Sequence, residues 1–227
     1  MKIPLFDFDG ILFKAISNSH FDAMNYVFHH FYHTNASFDD IAHWGMTDKQ
    51  IVIEILASHE VDRDVTRGKF DQAKKVMIDY FLKNAKAEEY KVLPGVKELL
   101  FSLKENEIPI GALTGNTEEI AWEKLRLSGI IDYFDFGAFG DTTEKRSELV
   151  AIAKERADKK FKTDFPLESF VIIGDTPRDI ICAREAKISV ISSSTGNHPF
   201  EELKKFSPNL LVHSLEEKDK IIDFLSK

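Results

Sequence analysis

Four aspartates stand where strands of a sheet would end. Asp7 and Asp9 lie in Asp7-Phe8-Asp9-Gly10, and Asp175 and Asp179 lie in Gly174-Asp175-Thr176-Pro177-Arg178-Asp179. Thr114-Gly115-Asn116 would add a hydroxyl and turn amides, and Lys145-Arg146 a cation. Carboxylates brought to one corner repel, so a cation is expected among them. Oxygen donors without Cys or His suit Mg²⁺ better than zinc. Mg²⁺ held by carboxylates commonly completes its shell with water and a substrate phosphate. Thr114 and the amides after it could hold phosphate oxygens as a helix N-terminus does, with Lys145 or Arg146 neutralising the remaining charge. Each segment taken alone also reads as a turn or a cap. Gly-Asp-Thr-Pro, for instance, is a good helix entry, with Asp175 or Thr176 capping and Pro177 at the first position. Their occurrence together, all at strand ends, is what turns need not produce.

The elements that must position these groups follow from hydrophobic spacing. Buried strands are expected at residues 3–8, 108–113, 134–139, 170–173, 188–191 and 210–212. Helices are expected at 117–127, at 147–157, through Ile180, Ile181 and Ala183, and through Ile221, Ile222 and Leu225. Pro94 is placed in the first turn of a helix carrying Val96, Leu99, Leu100 and Leu103. Strand–helix alternation of this kind means a doubly wound α/β fold, a parallel sheet with helices on both faces. In such sheets ligands bind beyond the carboxyl ends of the strands. Residues 17–84 read as helix throughout: Phe21, Met24, Val27, Phe28 and Phe31 share one face, Thr47 caps a second helix, and a third runs over 65–82. The division expected is an α/β core of residues 1–14 and 86–227, with an α-helical cap inserted at 15–85.

The chain has 227 residues, 43% of them hydrophobic and 30% charged. That excludes disorder and is long enough for a core without staples. A single cysteine, Cys182, excludes a disulfide framework and a Cys-based zinc site. The net charge of −8 argues against nucleic-acid binding, which needs a basic footprint. No run reaches the length of a membrane span, and the N-terminus reads as a strand rather than a leader, so a cytoplasmic location is the expectation. His29, His30 and His33 share a helix, but only one pair has i, i+3 spacing and no carboxylate joins them; they read as a solvated face.

The chain resembles the haloacid dehalogenase superfamily of aspartate-nucleophile phosphohydrolases. Asp7-Phe8-Asp9-Gly10-Ile11-Leu12 is similar to its first motif, Leu113-Thr114-Gly115-Asn116 to its second, and Gly174-Asp175 with Asp179 to its fourth. Arg146-Ser147-Glu148-Leu149-Val150 resembles one version of the third, which favours Arg146 over Lys145. Ser194-Thr195-Gly196 matches the loop after the next strand, and Gly45-Met46-Thr47-Asp48 a segment of a phosphoglycolate-phosphatase-like helical cap. Ile11 replaces a common Thr, and Lys14 stands where an acidic residue is frequent.

The resemblance implies roles. Asp7 attacks phosphorus and becomes an aspartyl phosphate. Asp9 protonates the leaving oxygen and then deprotonates water. Asp7, the Asp9 carbonyl and Asp175 hold Mg²⁺, with Asp179 behind them. Thr114, Gly115, Asn116 and Arg146 bind the phosphoryl group. The activity implied is Mg²⁺-dependent hydrolysis of a small phosphorylated metabolite. A halide-displacing relative would not need Asp9, and a phosphonatase would need a cap imine lysine, for which only Lys49 offers itself. A phosphomutase would share every core residue. A phosphoacceptor signalling domain would be about half this length, and a binding module without catalysis would not need every catalytic type. Cap positions His20, His43, Trp44, Met46, Thr47, Asp48 and Gln50 are candidates to face the substrate.

Overall fold

The computed structural model describes residues 1–15 and 19–227. Six parallel strands form the main sheet: β1 (Ile3–Phe6), β4 (Gly111–Thr114), β5 (Phe136–Phe139), β6 (Phe170–Gly174), β7 (Ser189–Ser193) and β8 (Leu210–Val212). Their order across the sheet is β5-β4-β1-β6-β7-β8. Each of the four strands β1, β4, β5 and β6 is buried along its whole length, as expected of a parallel sheet covered on both faces.

Alternation along each strand divides the apolar side chains between two cores. Ile3 and Leu5 of β1, Leu113 of β4, and Phe170 and Ile172 of β6 pack on one face against α6 (Glu148–Phe161), α7 (Pro177–Glu185) and α8 (Phe200–Lys205). Phe6, Ala112, Val171 and Ile173 face the opposite way, toward α4 (Val96–Glu105), α5 (Glu118–Leu127) and α9 (Lys218–Ser226). The fold is therefore doubly wound α/β. That second core continues without a break into α1 (Ser19–His30), α2 (Asp48–Ser58) and α3 (Arg63–Asn84), through Met24, Phe28, Ile55, Phe70, Met77 and Phe81.

The structure departs from the sequence expectations in four places. The first strand ends at Phe6 rather than residue 8, because the Phe8 carbonyl accepts the Ile11 and Leu12 N–H groups and turns the chain. Helix does not fill residues 17–84. Residues 31–47 form a loop with one 3₁₀ turn at Phe38–Asp40, entered through a capping box in which Ser37 and Asp40 satisfy each other's backbone N–H. Pro94 precedes α4 instead of opening it. Gly95 takes the N-cap position, where its left-handed backbone (φ 79°) lies outside the helix while its carbonyl accepts the Leu99 N–H at 3.0 Å. Finally, a short antiparallel ribbon joins β2 (Phe13–Ala15) to β3 (Tyr90–Val92), pairing Phe13 with Val92 and Ala15 with Tyr90. It ties together the two ends of the segment that carries α1–α3. Of the cap expected at residues 15–85, residues 16–18 lie outside the described residues.

Candidate active site

β1 delivers Asp7 to the carboxyl edge of the sheet, where its N–H still donates to Ile173 O at 2.9 Å. Asp175 follows β6 directly. α7 then starts from a capping box: Thr176 Oγ1 accepts the Asp179 N–H, and Asp179 Oδ2 accepts from Thr176 N and Oγ1 at 3.0 and 2.7 Å. The sequence Asp-Thr-Pro-Arg-Asp thus makes a helix entry and a cluster of carboxylates at once. One oxygen from each of Asp7, Asp175 and Asp179 lies within 4.8 Å of the others.

Arg146 stands between two of these groups. Its Nη2 is 2.9 Å from Asp7 Oδ2 and 2.7 Å from Asp179 Oδ1, all three side chains being buried. Lys145 points away, 3.7 Å from Glu185. Both Asp179 oxygens are occupied, one by Arg146 and one by Thr176, whereas Asp175 Oδ1 is buried with no hydrogen-bond partner. Burial, with Asp179 and Asp7 nearby, pushes the Asp175 carboxyl up to about 9. Burial raises Asp7 to about 7, against the pull of Arg146. A partnerless buried carboxylate oxygen in an all-oxygen cluster fits a hard divalent cation. Bound there, it would lower both values and complete the unmet coordination.

Gly10 leaves room for this packing. Its φ is 87°, and a Cβ there would lie 2.4 Å from Asp175 Oδ2. Asp9 does not join the three-carboxylate cluster with its side chain. The carboxylate is 44% exposed, lines the cavity, and accepts from Lys124 Nζ at 3.0 Å. Thr114 is fully buried, and its Oγ1 accepts the Asn116 N–H at 3.3 Å. Gly115 and Asn116 line the cavity directly.

The cavity has a volume of about 300 Å³ and opens between the strand ends and the α1–α3 segment. His20, His43, Trp44, Met46 and Asp48 line it; Gln50 and Thr47 do not. Thr47 instead caps α2 through the Gln50 N–H. Asp48 is buried and binds the sheet edge. Its N–H donates to Gly115 O at 2.7 Å, and its Oδ2 accepts the Thr117 N–H at 2.6 Å with His20 Nε2 3.0 Å away. A Cβ on Gly115 would come 2.1 Å from Met46 O, so only glycine permits this approach. The sequence singled out Asp48 only as a candidate to face substrate. Nothing in a single sequence shows that its partner is a backbone amide 69 residues away.

His29 and His30 make local bonds to the carbonyls of Ala36 and Tyr26. Among the described residues, Asp7, Asp175 and Asp179 form the one cluster able to hold a metal.

Residues 4–193 match the family model described as haloacid dehalogenase-like hydrolase. The chain belongs to this family. Among the haloacid dehalogenase-like hydrolases, the "Putative pyrophosphatase PpaX" of Caldanaerobacter subterraneus subsp. tengcongensis is 32% identical over 58% of this chain and 59% of its own. A phosphoglycolate phosphatase of Nitrosococcus oceani is 25% identical over 65% of this chain and 64% of its own. The chain thus spans less than two thirds of these curated relatives. In structure it is similar to β-phosphoglucomutase of Clostridium difficile, with TM-score 0.70, 20% identity and full coverage of both chains, a likeness of fold.

The raised carboxyls make a prediction about stability. Their pKa values lie above those of an unfolded chain, so they stabilise the fold in the protonated form, and that contribution is lost as pH rises through about 7 and then 9. Metal-free protein is expected to lose this increment progressively from about pH 4 upward, the Asp7 share by about pH 7 and the Asp175 share by about pH 9, so that the loss between pH 6 and pH 9 belongs mostly to Asp175. Mg²⁺ should restore it, with a larger gain at pH 9. At about 100 times its Kd the ion would add about 2.7 kcal/mol, or roughly 5–10 °C in Tm for a chain of this size. Scanning calorimetry with EDTA or Mg²⁺ at both pH values measures it, and Asp175→Asn should abolish most of the Mg²⁺ increment. An equal Mg²⁺ response in that variant would place the ion elsewhere.

Proposed function

We propose that the protein is a Mg²⁺-dependent phosphatase that hydrolyses a small phosphorylated metabolite through an aspartyl phosphate on Asp7. One observation carries the reading: Asp7, lining the cavity at the strand ends, shares its corner with the guanidinium of Arg146, the Asp175 carboxylate with its partnerless Oδ1 and, two residues on, the carboxylate of Asp9. The names of the relatives, a pyrophosphatase and a phosphoglycolate phosphatase, support a phosphate substrate.

The chemistry follows from the residues. Asp7 Oδ attacks phosphorus, and the bond from phosphorus to the ester oxygen breaks. Asp9 gives its proton to the departing oxygen, then takes one from the water that attacks the aspartyl phosphate and frees inorganic phosphate. Arg146, buried between Asp7 and Asp179, neutralises charge on the phosphoryl oxygens, while Thr114, Gly115 and Asn116 orient them. Asp7, Asp175 and the Asp9 carbonyl would hold Mg²⁺, which when bound offsets the charge of the carboxylates and the substrate. Residues 15–85 act as the cap. With Asp48 docked on Gly115 and Thr117, the cap excludes water and its residues 43–48 set the shape of the cavity.

Three experiments test this. Phosphatase activity should vanish in EDTA and return with Mg²⁺; full activity in chelator would sink the metal assignment. Asp7→Asn should lose nearly all turnover of aryl and alkyl phosphates alike. In Asp9→Asn the first half-reaction should fall about 10²–10⁴-fold with an alkyl phosphate and far less with an aryl phosphate, whose leaving group departs as a stable anion. The aspartyl phosphate should then accumulate with the aryl ester, as read by rapid quench. Equal damage to both esters with no accumulation would remove Asp9 from proton transfer.

A further inference from the structure

Lys124 is among the largest buried side chains of the described residues, 2% exposed in the last turn of α5. Its Nζ donates to Asp9 Oδ2 at 3.0 Å, the one carboxylate it pairs with among the described residues, and lies 5.9 Å from the centre of the Tyr90 ring. A buried ammonium is costly, and a well-packed apolar side chain of similar volume is often the more stable choice. Asp9 itself is 44% exposed and has water available, so it does not require a lysine for solvation. The desolvation cost falls on Lys124, and Asp9 receives the fixed bond. Helix position does not force this either, since the neighbours of Lys124 on the buried face of α5 are Ile120, Ala121 and Leu125.

From this geometry we infer that Lys124 is a positioning residue for Asp9. It anchors Oδ2 on the α5 side, which leaves Oδ1 as the oxygen to meet the substrate in the cavity that Asp9 lines. A general acid must lie within hydrogen-bond reach of the oxygen it protonates, and a carboxyl on a loop two residues past a strand needs an anchor to stay there. The same lysine sets α5, which follows the Thr114-Gly115-Asn116 loop, against the ribbon residue Tyr90. Tyr90 Oη in turn lies 2.7 Å from Ser19 Oγ at the start of α1. The acid's orientation is thereby tied to the phosphate loop and to the root of the helical segment.

This inference rests on the proposed role of Asp9, and the test separates the two. Lys124→Met keeps volume and removes the donor. Single-turnover rates are measured for an alkyl phosphate and for an aryl phosphate, with Mg²⁺. The alkyl rate should fall by about 10- to 100-fold more than the aryl rate, with the aryl KM unaltered. In an Asp9→Asn background the same change should leave the alkyl-to-aryl ratio where Asp9→Asn has already put it. Lys124→Gln is read the same way should Lys124→Met fail to fold, and Lys124→Arg should recover part of the ratio. A ratio unchanged from wild type, whether both rates fall together or neither falls, overturns the inference while leaving the phosphatase reading intact. Wild-type protein inactive on both esters overturns both.

Discussion

One guanidinium holds the site together. Arg146 lies buried among three aspartates at the inner end of the cavity, and it touches two of them. Without a cation at that point, Asp7 and Asp179 would meet as like charges in a medium of low dielectric, where such repulsion is strong. With it, Asp179 can spend its second oxygen on the first turn of α7, which fixes the helix and with it the course of the chain after Asp175. Asp7, Arg146, Asp179 and the start of α7 are therefore one unit of linked ion pairs and hydrogen bonds. Asp175 is left outside that unit with an unmet oxygen. Among the described residues, a positive charge touches two of these carboxylates and none touches the third.

Much of this architecture was legible before the structure. Asp7, Asp175, Asp179 and Thr114 are marked by their positions at or just past strand ends, which are visible because β1, β4 and β6 are largely apolar runs, whereas the choice of Arg146 over Lys145 comes from the family resemblance. The Thr176-Pro177 helix entry is a local pattern and was read locally. What escaped was whatever depends on two distant segments meeting. Lys124 sits in an amphipathic helix where a lysine is unremarkable, and only the tertiary fold buries it against Asp9. The β2–β3 ribbon has three residues on each strand, too few to show alternation. Residues 31–47 are rich in aromatic and apolar side chains and read as helix, yet Ser37 and Asp40 bond each other's backbone and commit that stretch to a turn.

The inserted helices reach the sheet edge through backbone as much as through side chains. Asp48 and Lys49 give their N–H groups to the carbonyls of Gly115 and Gly140, and the Asp48 carboxylate caps the start of α5 at Thr117. Farther out, Arg67 pairs with Glu144, and Lys74 with Asp141, whose other oxygen takes the Glu118 N–H. The exposed pair adds little by itself. The buried Asp48 is different: its bonds end on the loop proposed to bind phosphate, so any movement of α2 is felt at Gly115-Asn116.

The two-stranded ribbon has a consequence for what this fold can become. Because β2 and β3 are hydrogen-bonded neighbours, the chain leaves the α/β core and returns to it at a single point. To the core, everything between Ala15 and Tyr90 is one loop whose ends already meet. The entropy of closing a flexible loop rises only with the logarithm of its length, by about 0.6 kcal/mol for each doubling. The closure cost thus depends little on how much chain hangs from the ribbon. A change in the length of the inserted segment therefore need not re-register the strands on either side of the ribbon, which leaves its packing on the sheet's core and its bonds to Gly115 and Thr117 as the contacts it must keep.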